Sequence, residues 1–232
     1  MSFRALALVA TAVLLAPGHL TAQTSAVVDE ATFMVSRKGA PVGRESYRII
    51  RAAGSGGQVF RAVSTSALGE VRLSSTLATD SSGAPVSYEL RITQRGEQIQ
   101  FLQGRGRPDR FSVLVQTKSG EAAREYLIRR ATVLLDDELF HPLYFAALAG
   151  LAAPDSTVTV ISPREASQRQ HRLEFRGIEV VVVGGQNLTG RRFAFVDSAT
   201  VRAELWIDAA GRVLKAAYPE KALVALRDDP PR

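Results

Sequence analysis

The sequence predicts a mainly β protein, an antiparallel sheet with one short helix packed on it, and three observations lead there. Residues 86–93 alternate apolar and polar side chains without a fault, the period of a strand with one face in a core and one in water. Clusters of Gly, Pro, Ser and Asp punctuate the chain every 10–15 residues, a spacing that suits short turns and not βαβ crossovers. The alternation fails in one place, from Asp136 to Gly150, where alanines and leucines replace β-branched residues.

Taken along the chain, shorter alternating runs at 33–35, 47–49, 59–63 and 71–77 precede the clearest strand. Ile99 with Phe101, then Phe111, Val113 and Val115, then 126–128, follow it. The turn-forming stretches 39–43, 54–57, 81–85 and 104–108 lie between them and supply the backbone conformations that hairpins need. Pro142 suits a first helical turn, and Gly150 with Pro154 suits an end, which places the helix near 142–151. Asp136, Asp137 and Glu138 are expected ahead of its N-terminus, where the helix dipole favours negative charge. Leu143, Phe145, Ala147 and Leu148 are expected to cover the sheet or plug its end.

Beyond the helix, 173–175, 178–183, 193–195, 201–207 and 213–217 alternate again. Gly177 falls between two strand halves and reads as a bulge. The polar residues 162–170 read as a loop. Residues 184–190 read as a hairpin loop, because a strand follows them and a phosphate-binding turn needs a helix there. Asn187-Leu188-Thr189 also fits a glycosylation sequon. The count comes to ten or so strands in a single domain.

Residues 1–22 read as a secretory leader. Arg4 gives a positive start, 5–16 form an uncharged run of Ala, Leu and Val with one Thr, and Pro17 and Gly18 end it. Leu20-Thr21-Ala22 offers a cleavage site before Gln23. The run is too short to span a hydrocarbon layer of about 30 Å, and no later stretch is long and apolar enough to do so. The expectation is export, to the periplasm or beyond, with 23–232 as the mature domain.

The chain carries 29 basic residues, all but four of them arginine, against 23 acidic ones, for a net charge of +6. Outside the cytoplasm this charge points away from nucleic acid and toward phospholipid headgroups, lipopolysaccharide or acidic polymers. The plainer alternative is that the arginines coat the wet face of the sheet. The absence of cysteine excludes disulfides, thiolate metal sites, a cysteine nucleophile and a lipid-anchoring cysteine.

Little selects a chemistry. His141 and His171 fall short of the three ligands a zinc site requires. No Gly-x-Ser-x-Gly elbow is present, and adjacent acids such as Asp136/Asp137 and Asp228/Asp229 point apart in regular structure. No catalytic residue, metal or cofactor is predicted. Trp206 breaks the phase of its strand, facing opposite to Leu205 and Ile207. Either both faces of that strand are covered, or the indole stands on an exposed or ligand-facing surface.

The hairpin Phe33-Met-Val-Ser-Arg-Lys-Gly-Ala-Pro-Val-Gly-Arg-Glu-Ser-Tyr-Arg-Ile resembles the opening of a group of exported bacterial domains of unknown function. The closing segment Leu205-Trp-Ile-Asp-Ala-Ala-Gly-Arg-Val-Leu-Lys looks like a Trp-x-Asp-x-x-Gly hairpin common to that group. It is also similar to a hairpin of periplasmic lipoprotein-carrier-like folds. The resemblance implies a curved antiparallel sheet, a half-barrel or open barrel with an apolar concave face, half-closed around a helical plug. It transfers no activity and no catalytic residue, and the missing cysteine departs from lipid-anchored members.

An antiparallel sheet of this length has an apolar face larger than one short helix covers, so the remainder must meet another layer, a partner or a ligand. The expected site is a mainly apolar pocket for a hydrophobic or amphiphilic ligand, lined by Tyr88, Leu90, Phe111, Phe175 and Leu205. Trp206 is an alternative contact if its side is open, and Arg105 and Arg107 are placed at the rim to hold an anionic headgroup. Two other classes compete with this carrier. One is a non-enzymatic structural or interaction module of the envelope, with a filled core and an envelope protein as partner. The other is an enzyme whose site is assembled from separated residues. A filled interior favours the module.

Overall fold

The computed structural model describes residues 25–54, 57–152, 156–198 and 200–231. The expected leader, 1–22, lies outside the described residues. Eight strands come first: β1 (Ala26–Arg37), β2 (Ala40–Gly54), β3 (Gly57–Leu68), β4 (Val71–Asp80), β5 (Pro85–Gln94), β6 (Glu97–Gly106), β7 (Arg110–Thr117) and β8 (Gly120–Leu127). Then follow β9 (Thr132–Leu134), the helix α1 (Leu143–Ala152), β10 (Thr157–Ser162), β11 (Ser167–Val183), β12 (Gln186–Asp197), β13 (Thr200–Ile207), β14 (Val213–Tyr218) and β15 (Leu223–Arg227). No helix among the described residues is long and apolar enough to cross a membrane.

Among the described residues all fifteen strands belong to one open curved sheet, in the order β8-β7-β6-β5-β4-β3-β2-β1-β15-β14-β13-β12-β11-β10-β9. The two halves of the chain are separate meanders joined where β1 pairs with β15, Phe33 opposite Arg227 and Arg37 opposite Leu223. Strand alternation explains most of the rest. In β3, Phe60, Ala62, Ser64, Ser66 and Leu68 are buried while the intervening Arg61, Val63 and Thr65 are exposed. Every pairing is antiparallel except β9 with β10. That exception follows from connectivity: the 22 residues between them include α1, long enough for the crossover a parallel pair needs.

The sheet does not close into a barrel. Its end strands β8 and β9 are unpaired with each other, but the Gln168 side chain spans part of the seam. Its Oε1 accepts from the Leu127 N–H at 3.1 Å, and its Nε2 donates to the Leu127 carbonyl at 2.5 Å.

The concave side is occupied by the chain's own segment 132–148. Val133, Leu134, Leu135, Leu139, Phe140, Leu143, Tyr144, Phe145, Ala146 and Ala147 are all buried within one core with side chains from both halves of the sheet. Phe140 meets Phe33 and Tyr218, and Phe145 meets Phe60. The helix is buried on every described side, so it shows no polar stripe, as expected of a core element. Each such large side chain contributes about 1.5–3 kcal/mol by leaving water.

Fifteen strands replace the ten or so of the sequence reading, and two local expectations need correction. Residues 167–170 are strand and not loop, because the turn 163–166 is tight and β10 pairs with β11 from Ser162–Ser167 onward. Asp136, Asp137 and Glu138 precede the helix as expected, but they end five residues ahead of Leu143, beyond the first turn over which the dipole acts, and are met by basic side chains. Gly177 is a bulge as expected. The register shifts between Phe175 and Gly177, and its φ of +113° suits a residue without a Cβ.

Candidate functional site

The concave face holds four of the residues expected there, buried in one cluster with the plug. Tyr88, Leu90, Phe111 and Leu205 are 0–1% exposed and belong to the same core as Phe140 and Phe145. Phe175 shares their face but stands at the edge of the sheet, 40% exposed, with its ring against Phe193 and the Arg191 guanidinium over both rings. Arg105 and Arg107 are not at a mouth of this interior. They lie on the convex side, along a groove of about 400 Å³ with Gln103, Ser112 and Leu114.

Polar clasps hold the plug to the wall. Glu45 of β2 is fully buried; its carboxylate accepts from the Phe140 N–H at 2.6 Å and lies 2.6 Å from His141 Nδ1. Its position in sequence, among alternating arginines, gave no hint of this inward facing partner. Tyr88 donates its hydroxyl to Asp136 Oδ2 at 2.7 Å, and Tyr218 donates to the Leu139 carbonyl at 3.0 Å. Asp137 meets Arg202 at 3.2 Å and Lys221, while Glu138 meets Arg164 and Arg37. Burial pushes the Asp136 carboxyl up to about 7, against the opposing pull of Arg164 and the Tyr88 hydrogen bond.

A carboxylate that orients an imidazole through Nδ1 is the supporting half of a nucleophilic triad. Here both side chains are fully buried, and among the described residues His141 Nε2 and the hydroxyl of Ser66, opposite Glu45 in the β2–β3 register, have no partner. No substrate atom reaches His141 in this arrangement. The pair fastens the plug.

Trp206 resolves the open choice of the sequence reading in favour of covering on both faces. It is 4% exposed on the convex side, in a second apolar cluster with Val181, Val183, Leu214 and Ala217. Past the Gly177 bulge, the end of the β11–β12 hairpin lies over the indole. Trp206 Nε1 donates to Glu179 at 2.7 Å, and the ring faces Arg192 and Lys215 at 5.1 and 4.3 Å. Gly190 permits this approach: a Cβ there would lie 3.0 Å from Val181 Cγ2 and 3.4 Å from Trp206 Cβ. The opposite face of the same hairpin end leaves Ile178, Val180 and Val182 more than half exposed.

Two further concavities open on the surface. One, of about 680 Å³, lies beside β1 and contains Asp29, Tyr47 and Arg227. Arg227 donates to both Asp29 oxygens, at 2.9 and 3.1 Å, and Tyr47 donates to Asp29 at 2.7 Å, so this buried group is internally satisfied. The other, of about 380 Å³, lies on the convex face of β3–β6 between Arg61 and Arg105, with Thr76, Ser87, Glu89 and Gln103 along it. The sequence reading named Arg105 but missed Arg61, Glu89 and Gln103, since only strand register brings them together.

The fold and its interior define an open β half-barrel filled by its own helical plug. No family model matches the chain, and no curated protein does. Two solved structures are similar to it, both of domains of unknown function. A β-barrel-like protein of domain of unknown function DUF1849 from Brucella abortus has 10% identity and a TM-score of 0.48, over 86% of this chain and 95% of that one. A DUF1329 family protein from Desulfovibrio piger has 12% identity and a TM-score of 0.24, over 90% of this chain and 84% of that one. At these scores the likenesses add nothing to what this chain's own sheet order shows.

Proposed function

We propose that this protein is an exported, non-enzymatic interaction module of the cell envelope, which works through its outer surface. The observation that carries the reading is the filled concave side: Tyr88, Leu90, Phe111 and Leu205 are sealed against residues 132–148. A lipid would have to displace that segment and strand the partners of Glu45 and Asp136, each loss costing about 1–3 kcal/mol. The exposed row Ile178, Val180 and Val182 supports a role in association. Export rests on the leader pattern of residues 1–22. The test is lipid extraction of protein recovered from the cell exterior, with N-terminal sequencing and titration by a fluorescent fatty acid. A chain beginning near Gln23, free of lipid and without saturable probe binding, is expected. Stoichiometric lipid would overturn the module in favour of a hydrophobic-ligand carrier, and an intact Met1 would overturn export.

A further inference from the structure

The convex face of β2–β6 is strongly basic. Arg44, Arg48, Arg61, Arg72, Arg91 and Arg105 stand on its exposed positions. On this exposed face Glu89 is the carboxylate in the middle of those strands; Asp80, at the end of β4, is bound by Ser82 and the Ala84 N–H. Register concentrates this charge. Arg61 lies opposite Ala78, Ala78 opposite Ser87, and Ser87 opposite Arg105, so one row across four strands has an arginine at each end and two small residues between. Three strand spacings separate the two arginine backbones, about 14 Å. The small residues leave the groove of about 380 Å³.

The next row places Thr76, Glu89 and Gln103 side by side along the same groove. Among the described residues, neither the Arg61 nor the Arg105 side chain makes a hydrogen bond, ion pair or ring contact, unlike Arg48 on Glu30 or Arg91 on Phe101. The second groove, of about 400 Å³, shares Gln103 and Arg105 with the first and adds Arg107 and Ser112. Two adjoining grooves with a common arginine suit a ligand of repeating units.

We propose that this pair of grooves binds an acidic oligosaccharide, a polyhydroxylated chain bearing carboxylate, phosphate or sulfate groups. Arg61 and Arg105 take the acid groups through charge-assisted, bidentate hydrogen bonds. Glu89 decides between ligand classes. A carboxylate beside the site repels a bare polyanion, but it is a strong acceptor for sugar hydroxyls, and Thr76, Ser87 and Gln103 extend that polar lining. The assignment rests on the outer surface being the working part of the protein.

The test is fluorescence anisotropy of the full exported chain with labelled oligogalacturonate at physiological ionic strength, competed by neutral dextran and by polyglutamate of equal charge. Saturable binding is expected, undisturbed by dextran and poorly competed by polyglutamate. Arg61→Gln and Arg105→Gln should each weaken it at least about tenfold, since each removes a charge-assisted bidentate contact and even one such hydrogen bond is worth that much. Arg44→Gln, off the groove, should change it far less because exposed charges are screened. Glu89→Ala should also weaken binding, whereas plain electrostatic attraction would make it tighten. No saturable binding, equal competition by polyglutamate, tightening in E89A, or indifference to both groove arginines overturns the proposal. Thermal midpoints of these surface variants confirm folding. Lipid in the interior would end the filled-core reading and leave this groove intact, so the two failures are separable.

Discussion

Replacing Asp136 with Asn should flatten the dependence of stability on pH and stabilise the protein above neutrality. The Asp136 side chain is buried, receives the Tyr88 hydroxyl at 2.7 Å and has its other oxygen 4.0 Å from Arg164. Burial raises its pKa from 3.8 to about 7 in the folded chain. A carboxyl raised on folding holds its proton longer in the native state than in the unfolded one. Its contribution therefore becomes steadily more unfavourable as pH rises from about 4 to about 7, and is constant beyond. The rise from 3.8 to about 7 corresponds to about 4 kcal/mol, an upper bound. Asn keeps an oxygen for Tyr88 and cannot ionise. Urea unfolding of both proteins from pH 4 to 8 should show the variant gaining on the wild type by up to about 4 kcal/mol across that window. A constant difference between the two curves would refute the reasoning, and so would a variant that loses ground as pH rises.

Two further outcomes follow from the same packing. Glu45→Ala leaves the Phe140 N–H and His141 Nδ1 without their shared acceptor and should cost about 2–5 kcal/mol in urea unfolding, with Glu45→Gln, which keeps one acceptor, intermediate; equal stability of all three would deny that this carboxylate fastens the plug. Gly190→Val drives a side chain into Val181 and the indole, so the emission of the sole tryptophan should move to the red as the hairpin end lifts, and unchanged emission would show that the covering is loose.

Much of the architecture was legible because strand alternation is a local property. Residues 86–93 announce their facing by themselves, and β5 follows it, with Tyr88, Leu90 and Ile92 inside and Glu89 and Arg91 outside. The helix is equally plain: Pro142 and the Ala/Leu run bring its start within one residue of Leu143. Gly177 marked its bulge through the missing Cβ alone. Residues 167–170 were not legible as strand because a strand with a wet outer face carries no more apolar residues than a loop does, and its pairing partner decides.

What the chain alone determined, then, was each residue's side of its strand; what lies on that side was decided by tertiary structure. The β1–β15 pairing joins residues nearly two hundred positions apart, and only that union wraps both meanders around 132–148 and fills the face expected to hold a ligand. Trp206 was correctly out of phase, yet its cover comes from a hairpin end turned back by a bulge. Arg61 and Arg105 share a groove through three successive registers, each set by its own hairpin turn. Facing has a period of two and is written locally, while register, curvature and closure depend on contacts between distant segments, which no local pattern encodes.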